Sequence, residues 1–495
     1  MVNVIMHAIT SVETNVKWNG ARSEFFRPQR GIRQGDPISP YLFVLCMDKL
    51  SHLIMHSVDV GEWRGIKVGR SGPMISHLMF ADDLLLFGEA SEKQMRCVMN
   101  ILNKFCLMSG QEVSQEKTSI LFSKNVNSGM RDKLLHLSGF REAHDLDKYL
   151  GVPLIGRAPK KADYQYLIDQ VSNKLAKWKA RQLSFARRVT LAKSVLEAVP
   201  IYPMMTSRIP QSCLDEIQKI QRNFLWGDTE NVRRYHVVRW SVVTMPKDMG
   251  GLGLRRLDAM NKACLLKLGW KLNNGATDFW CEVLRGKYGS NNLTIEMNTR
   301  SSDSNVWKSL INLRLFLLNN TFWNIGDGCA TDAWNKAWIE PGYHVAQHCE
   351  VPSYLNGARV SDLVDEDGRW NWQIFRDWMP SNIQGKIAAI LPPSAVNGCD
   401  EPAGIGGNNN EFSVAAMYEN ICGFDRRNAQ LMWKKTWQLN VTKRVRCFVW
   451  LLTYDRLLTN SRKSRMGLGH AMCNYCENVE ETTIHVLRDC NLVNY

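Results

Sequence analysis

No stretch of this sequence approaches the roughly 20 consecutive apolar residues that a membrane span requires. The longest apolar cluster, Leu78 to Phe87, is interrupted by two adjacent aspartates. The N-terminus lacks the basic region of a secretory signal, and Asn3, His7 and Glu13 break up its apolar residues. The expected location is therefore nuclear or cytoplasmic, not secreted, with no membrane partner. Without a secretory route the 14 cysteines are expected as reduced thiols, and closely spaced ones become metal candidates. Acidic charge is also in short supply: 48 Asp and Glu stand against 62 Lys and Arg, a net charge of +14. A chain this basic tends to meet a polyanion, and nucleic acid is the commonest one. The alternative is a basic protein with no such role. No internal repeat is visible.

What is present suffices for two to four domains, with 45% hydrophobic residues in 495, so most of the chain should fold. Ser39 and Pro40 predict a helix start, Ser39 as N-cap and Pro40 as the first helical residue. Leu42, Phe43, Cys46, Met47, Leu50, Leu53 and Ile54 then recur at helical spacing. Two apolar runs, Ile75 to Phe80 and Leu84 to Phe87, flank Ala81-Asp82-Asp83 and predict a β-hairpin. A further helix is expected over Glu92 to Leu107. Residues 160 to 226 read as helical. Ile168, Val171, Leu175 and Trp178 form one stripe, with Lys174, Lys177, Lys179 and Arg181 off it; Leu214, Ile217, Ile220 and Phe224 form another. Residues 271 to 410 are rich in Trp and Asn with weak periodicity, and Asn397 to Asn410 reads as a linker.

Two adjacent aspartates at the tip of an apolar hairpin repel each other, a cost that a dication would offset. Phosphoryl transfer through two metal ions uses such carboxylates, and Mg²⁺ favours carboxylates plus phosphate oxygens over a full protein cage. Aspartate is equally a common turn residue. The surroundings add to the first reading. Arg30-Gly31-Ile32-Arg33-Gln34-Gly35-Asp36-Pro37-Ile38-Ser39-Pro40-Tyr41-Leu42-Phe43, followed by Phe80-Ala81-Asp82-Asp83, resembles in order and spacing two motifs of non-LTR retrotransposon reverse transcriptases, especially plant LINE-type elements. The resemblance implies metal binding by Asp82 and Asp83 and a nucleotide pocket at Gln34 and Gly35. Ser109-Gly110 followed by Lys117 resembles the next motif, with Lys117 implied to neutralise or protonate leaving pyrophosphate. Ser114 stands where the family often has Asn. Tyr149-Leu150-Gly151 resembles the primer-grip turn, and the basic helices after residue 164 a thumb. As a solvated charged face those helices would need no ligand. Met249-Gly250-Gly251-Leu252-Gly253-Leu254 is also similar to these elements; physically it is a glycine turn, and no phosphate role is assigned to it.

The same resemblance places a further essential aspartate upstream of Lys17-Trp18-Asn19-Gly20, yet no Asp precedes Asp36. The expectation is a chain that is inactive alone, because Asp82 and Asp83 leave the two-metal clamp incomplete, or that needs the lost piece from elsewhere.

Near the C-terminus, Cys473 and Cys476 form a Cys-x2-Cys knuckle, followed by His485 and Cys490. Three thiolates and one imidazole suit tetrahedral Zn²⁺ and leave no open position for a reactive water. Ordinary thiols and a surface histidine are the plainer alternative. The segment from Phe412 through Trp433, Trp437, Lys443 and Trp450 to Cys490 resembles the zinc-binding region that follows the reverse transcriptase in plant LINE-type elements. Lys434, Lys435, Lys443, Arg444 and Arg446 interleave with Trp433, Trp437, Phe448 and Trp450. Such a pattern can hold single strands by phosphate contact and stacking; equally, the tryptophans can be core.

The resulting expectation is an α+β chain: a partial reverse-transcriptase palm over 1–125, a helical thumb and connection over 126–270, a Trp-rich region and linker over 271–410, and a zinc-binding domain over 411–495. Mg²⁺ (if active) and Zn²⁺ are the implied metals, and an RNA template with a DNA primer, or other nucleic acid, the implied partners. A non-catalytic zinc-dependent nucleic-acid-binding protein, or a degenerate retroelement fragment, is the alternative.

Overall fold

The computed structural model describes residues 2–29, 31–145, 148–176, 178, 182–228, 232, 234–289, 293, 297–403 and 412–492. Arg30, Lys177, Lys179, Arg181 and positions 404–410 of the expected linker lie outside the described residues. Helix and strand are mixed, and every sheet among the described residues has two strands. The chain divides into two units, Met1–Gly156 with Ala276–Asn291 and Arg157–Gly275 with Asn292–Tyr495.

In the first unit, turn chemistry places the hairpins. Asn19 and Gly20 both have positive φ, 48° and 86°, and join strands Lys17–Trp18 and Ala21–Arg22, as an Asn-Gly pair does in a two-residue turn. The helix expected from residue 39 spans Ser39–Asp59. Its cap is a correction: Ile38 occupies the N-cap, and the buried Ser39 hydroxyl donates to the Arg33 carbonyl at 2.7 Å. Asp36 accepts from the Ile38 N–H at 3.1 Å and orders the turn before the helix, which has no side-chain cap bond. Helix Glu92–Ser109 begins at an N-cap whose Ser91 hydroxyl accepts from Gln94 N–H, and ends at left-handed Gly110.

Between these helices lies the predicted hairpin, His77–Phe80 against Asp83–Leu86. Met47, Leu50, Ile54, Trp63, Leu102 and Phe105 form one core, and Met79, Leu84 and Leu86 pack on it. The Trp63 indole N–H donates to Phe87 O at 2.8 Å and ties the hairpin's end to that core.

In the second unit, helix Leu257–Asn273 is buried on nearly every face, as expected of a helix at the centre of a bundle. It packs against Ile201–Thr206, Asn305–Asn319 and Val414–Cys422. Asn261 is buried within it, accepting from Ile209 N–H and donating to Met204 O and Ser207 O. Both expected stripes face inward: Ile168, Val171, Leu214, Ile217 and Phe224 are buried.

Residues 322–403 depart most from expectation. They form a closed body: Phe322–Asn324 pairs antiparallel with Glu401–Ala403 around a core of Trp334, Trp338, Trp370 and Phe375. The described part of the expected linker therefore includes a strand. Asp400 fastens it, accepting from Gly326, Gly328 and Ala330 N–H at 2.8–3.0 Å. Burial disfavours its charge, but these N–H donors outweigh burial and hold its pKa below the usual carboxylate range.

Candidate carboxylate and zinc sites

The hairpin tip is Ala81-Asp82, with Phe80 paired to Asp83. Ala81 adopts φ 50°, a left-handed conformation that costs an L-residue about 1–2 kcal/mol. Asp82 and Asp83 are exposed. Among the described residues neither carboxylate has an ion pair or hydrogen-bond partner, and no third His, Cys, Asp or Glu joins them in a cluster of metal-ligand geometry. Two carboxylates can take a Mg²⁺ ion that brings phosphate oxygens with it; a two-metal clamp needs more ligands than these residues supply.

Gln34 and Gly35 lie in the exposed turn before helix Ser39–Asp59. Gly35 has φ +87°, and nothing lies within 4 Å of where a Cβ would stand, so its backbone is open to close approach. Arg33 and Asp36 beside them line a cleft of about 490 Å³ with His7 and Glu13; Asp82, Asp83 and Lys117 do not. Lys117 is exposed in a turn closed by Thr118 N–H to Ser114 O at 3.0 Å, just before strand Ser119–Leu121. It forms no ion pair with either aspartate among the described residues. Tyr149-Leu150-Gly151 forms a tight turn, with Leu150 and Gly151 at φ 51° and 77°.

The C-terminal cluster is assembled. The ligand atoms of Cys473, Cys476, His485 and Cys490 all lie within 4.8 Å of one another. Cys490 Sγ is 4.0 Å from Cys473 Sγ and 3.8 Å from Cys476 Sγ. Tetrahedral zinc with Zn–S near 2.3 Å sets sulfur atoms about 3.8 Å apart, whereas a disulfide requires about 2.05 Å. Cys473, His485 and Cys490 are buried, and among the described residues His485 Nε2 has no hydrogen-bond partner. An orphaned imidazole nitrogen beside three sulfurs fits a metal ligand.

Local backbone explains the convergence. Cys473 N–H donates to Val479 O and Glu481 N–H to Ala471 O, closing the knuckle, with Glu477 at φ 45° in its turn. Backbone N–H donation from Tyr475 pulls the Cys473 pKa down to about 7, favouring thiolate. His485–Asp489 is a π-helical turn, and the Cys490 N–H donates to His485 O at 2.8 Å. That wide turn brings two ligands five positions apart to one centre.

The same segment explains the glycine motif. Trp450 Nε1 and Tyr454 Oη both donate to Gly250 O, at 2.7 and 2.9 Å. A Cβ on Gly250 would lie 2.4 Å from Tyr454 Oη and 2.9 Å from the Trp433 ring; one on Gly251 would lie 1.8 Å from Met245 O. The motif is a docking surface for aromatic side chains. The sequence carries no local signal of this, because the aromatic partners lie about two hundred residues away. Trp433 and Trp450 are core, Trp437 is half-buried and Phe448 is exposed.

Residues 2–154 match the family model for reverse transcriptase (RNA-dependent DNA polymerase), and residues 412–495 match that for zinc-binding in reverse transcriptase. The chain derives from a reverse transcriptase. The resemblance to retrotransposon reverse transcriptases with a C-terminal zinc-binding domain is thereby borne out. An Arabidopsis thaliana protein, provisionally named a ribonuclease H protein, is 29% identical over 347 residues, 68% of this chain and 56% of that relative. An uncharacterized mitochondrial protein of the same plant is 51% identical over 65 residues, 13% of this chain and 53% of the relative. A retrovirus-related Pol polyprotein from a type-2 retrotransposable element of Drosophila melanogaster is 25% identical over 278 residues, 52% of this chain and 24% of the polyprotein. The reverse-transcriptase-derived chain thus spans about half the length of the first two relatives. Among its described residues no helix is long and apolar enough to cross a membrane.

Proposed function

We propose that this chain is a nucleic-acid-binding reverse transcriptase homologue, held together at its C-terminus by a structural zinc ion, and too weak in Mg²⁺ binding to extend a primer by itself. Residues 1–125 serve as the partial fingers and palm and the basic helices after residue 164 as the thumb. Asp82 and Asp83 are the metal-binding carboxylates, Gln34 and Gly35 border the nucleotide, and Lys117 faces the leaving group. RNA template and DNA primer are the ligands of that reading. The carrying observation is the contrast in assembly: four candidate zinc ligands converge, whereas the two aspartates stand exposed and, among the described residues, no third metal-ligating side chain clusters with them.

Zn²⁺, when bound, supplies a closed tetrahedral crosslink between the Cys473–Cys476 knuckle and the His485–Cys490 turn. Mg²⁺, when bound, would be held through Asp82 and Asp83 together with ligand phosphates. The test is primer extension on an RNA template by the folded, zinc-loaded chain beside Asp82→Ala/Asp83→Ala. The expected result is no extension by either protein, with RNA retained by both. Extension that the double variant abolishes would overturn the inactivity. Absence of nucleic-acid binding would overturn the reading as a whole.

A further inference from the structure

Within the second unit, a cleft of about 390 Å³ opens where the zinc-bearing segment meets the glycine turn, lined by Lys193, Lys247, Asp248, Arg426, Lys434 and Trp437. Four cations face one carboxylate there, and that carboxylate is already taken: Arg426 donates to Asp248 at 2.6 Å and also pairs with Glu419. Lys193, Lys247 and Lys434 form no ion pair among the described residues. Lys193 is half-buried, and its Nζ donates to Leu252 O at 3.2 Å. Burial, with Lys247 and Lys443 close by, pushes its pKa down against the opposing charge of Glu197. Lys443 is pushed down by burial and by Lys247 in the same way.

A solvated basic face spreads its lysines into water, where salt screens them. Lys193 is partly dehydrated and lies close to Lys247, and an anion between them relieves both costs. The aromatic wall is Trp437, whose ring lies 5.1 Å from Lys247 Nζ. Unlike Trp433 and Trp450, it is not consumed by the core.

We infer that this cleft binds single-stranded nucleic acid, with Lys193, Lys247 and Lys434 around a backbone phosphate and Trp437 stacking an adjacent base. The inference rests on the nucleic-acid-binding reading above and assigns it a place. Lysine serves phosphate as a point charge, and stacking on an aromatic face tolerates any base. Lys193 and Lys247 come from the thumb-side helices and the glycine turn, so the site combines two stretches far apart in sequence.

The test is fluorescence anisotropy with labelled single-stranded 12-mers of one sequence, as RNA and as DNA, on the full zinc-loaded chain. Lys193→Gln/Lys247→Gln should weaken binding about tenfold and lower the log–log salt slope by about 0.7, the value for one lost phosphate contact. Trp437→Leu should weaken it about tenfold with the slope unchanged. Arg369→Gln/Arg376→Gln, a charge-matched control in the 322–403 body, should stay within about twofold, as expected for charges that touch no phosphate. Should Trp437→Leu fail to fold, as judged by zinc content, the lysine pair decides alone. Wild-type binding that the lysine pair leaves unchanged overturns the cleft and spares the function. A wild-type chain that binds neither strand overturns both.

Discussion

The hairpin at residues 77–86 and the knuckle at residues 473–490 both carry candidate metal ligands, and they differ in what surrounds those candidates. At the knuckle, two short stretches bring four donors together, three of them buried, with backbone N–H groups biasing Cys473 toward thiolate. At the hairpin, two carboxylates adjacent in sequence stand exposed beyond the core. Soft thiolates and an imidazole complete a closed shell within one small segment. Hard carboxylates need further oxygens, which the neighbouring described residues do not provide. A motif's presence and its assembly are therefore separate facts, and only the knuckle has both.

The largest effect that would sharpen this comparison is loss of zinc. Cys490→Ser, or chelation of the wild type, should unfold the 470–490 region, because zinc binding in small structural sites is worth about 10–16 kcal/mol in isolated peptides. Asp82→Ala/Asp83→Ala should leave thermal stability within about 0.5 kcal/mol. Thermal melts of the three proteins with zinc analysis check both halves. A smaller effect is expected at the docking surface. Gly250→Ala combines a positive φ with overlap on Tyr454 and Trp433, and should cost about 2–4 kcal/mol in denaturant unfolding while zinc stays bound. Smallest is Ala81→Gly, which removes the left-handed strain at the hairpin tip and should stabilise the chain by about 1 kcal/mol in the same measurement. A destabilised Ala81→Gly would break the claim that the tip is strained.

The zinc set was legible in sequence because ligand type and spacing together leave few alternatives, and the cluster brings together the four residues that spacing picked out. The hairpin was legible because apolar runs flank a turn, although its second strand begins one residue early, at Asp83. The start of helix Ser39–Asp59 was misread by one position, since Ile38 is the N-cap and the Ser39 hydroxyl turns back to Arg33 O instead of capping. Residues 322–403 were illegible for a physical reason. Their core is built from tryptophans whose indole N–H groups bridge irregular backbone, Trp334 to Leu355 O and Trp370 to Ile390 O, and short 3-10 turns leave no period to detect. The docking role of Gly250 was hidden because it depends on Trp450 and Tyr454, about two hundred residues away.

Parallel metal titration of the purified chain tests the central contrast most directly. Zinc is followed by competition with a chromophoric chelator, and the hairpin by Mn²⁺ binding in electron paramagnetic resonance, as a stand-in for Mg²⁺. The account predicts one tight zinc per chain, lost in Cys490→Ser, and no saturable Mn²⁺ site that depends on Asp82 and Asp83 in the absence of nucleotide. A saturable Mn²⁺ site abolished by Asp82→Ala/Asp83→Ala would contradict it.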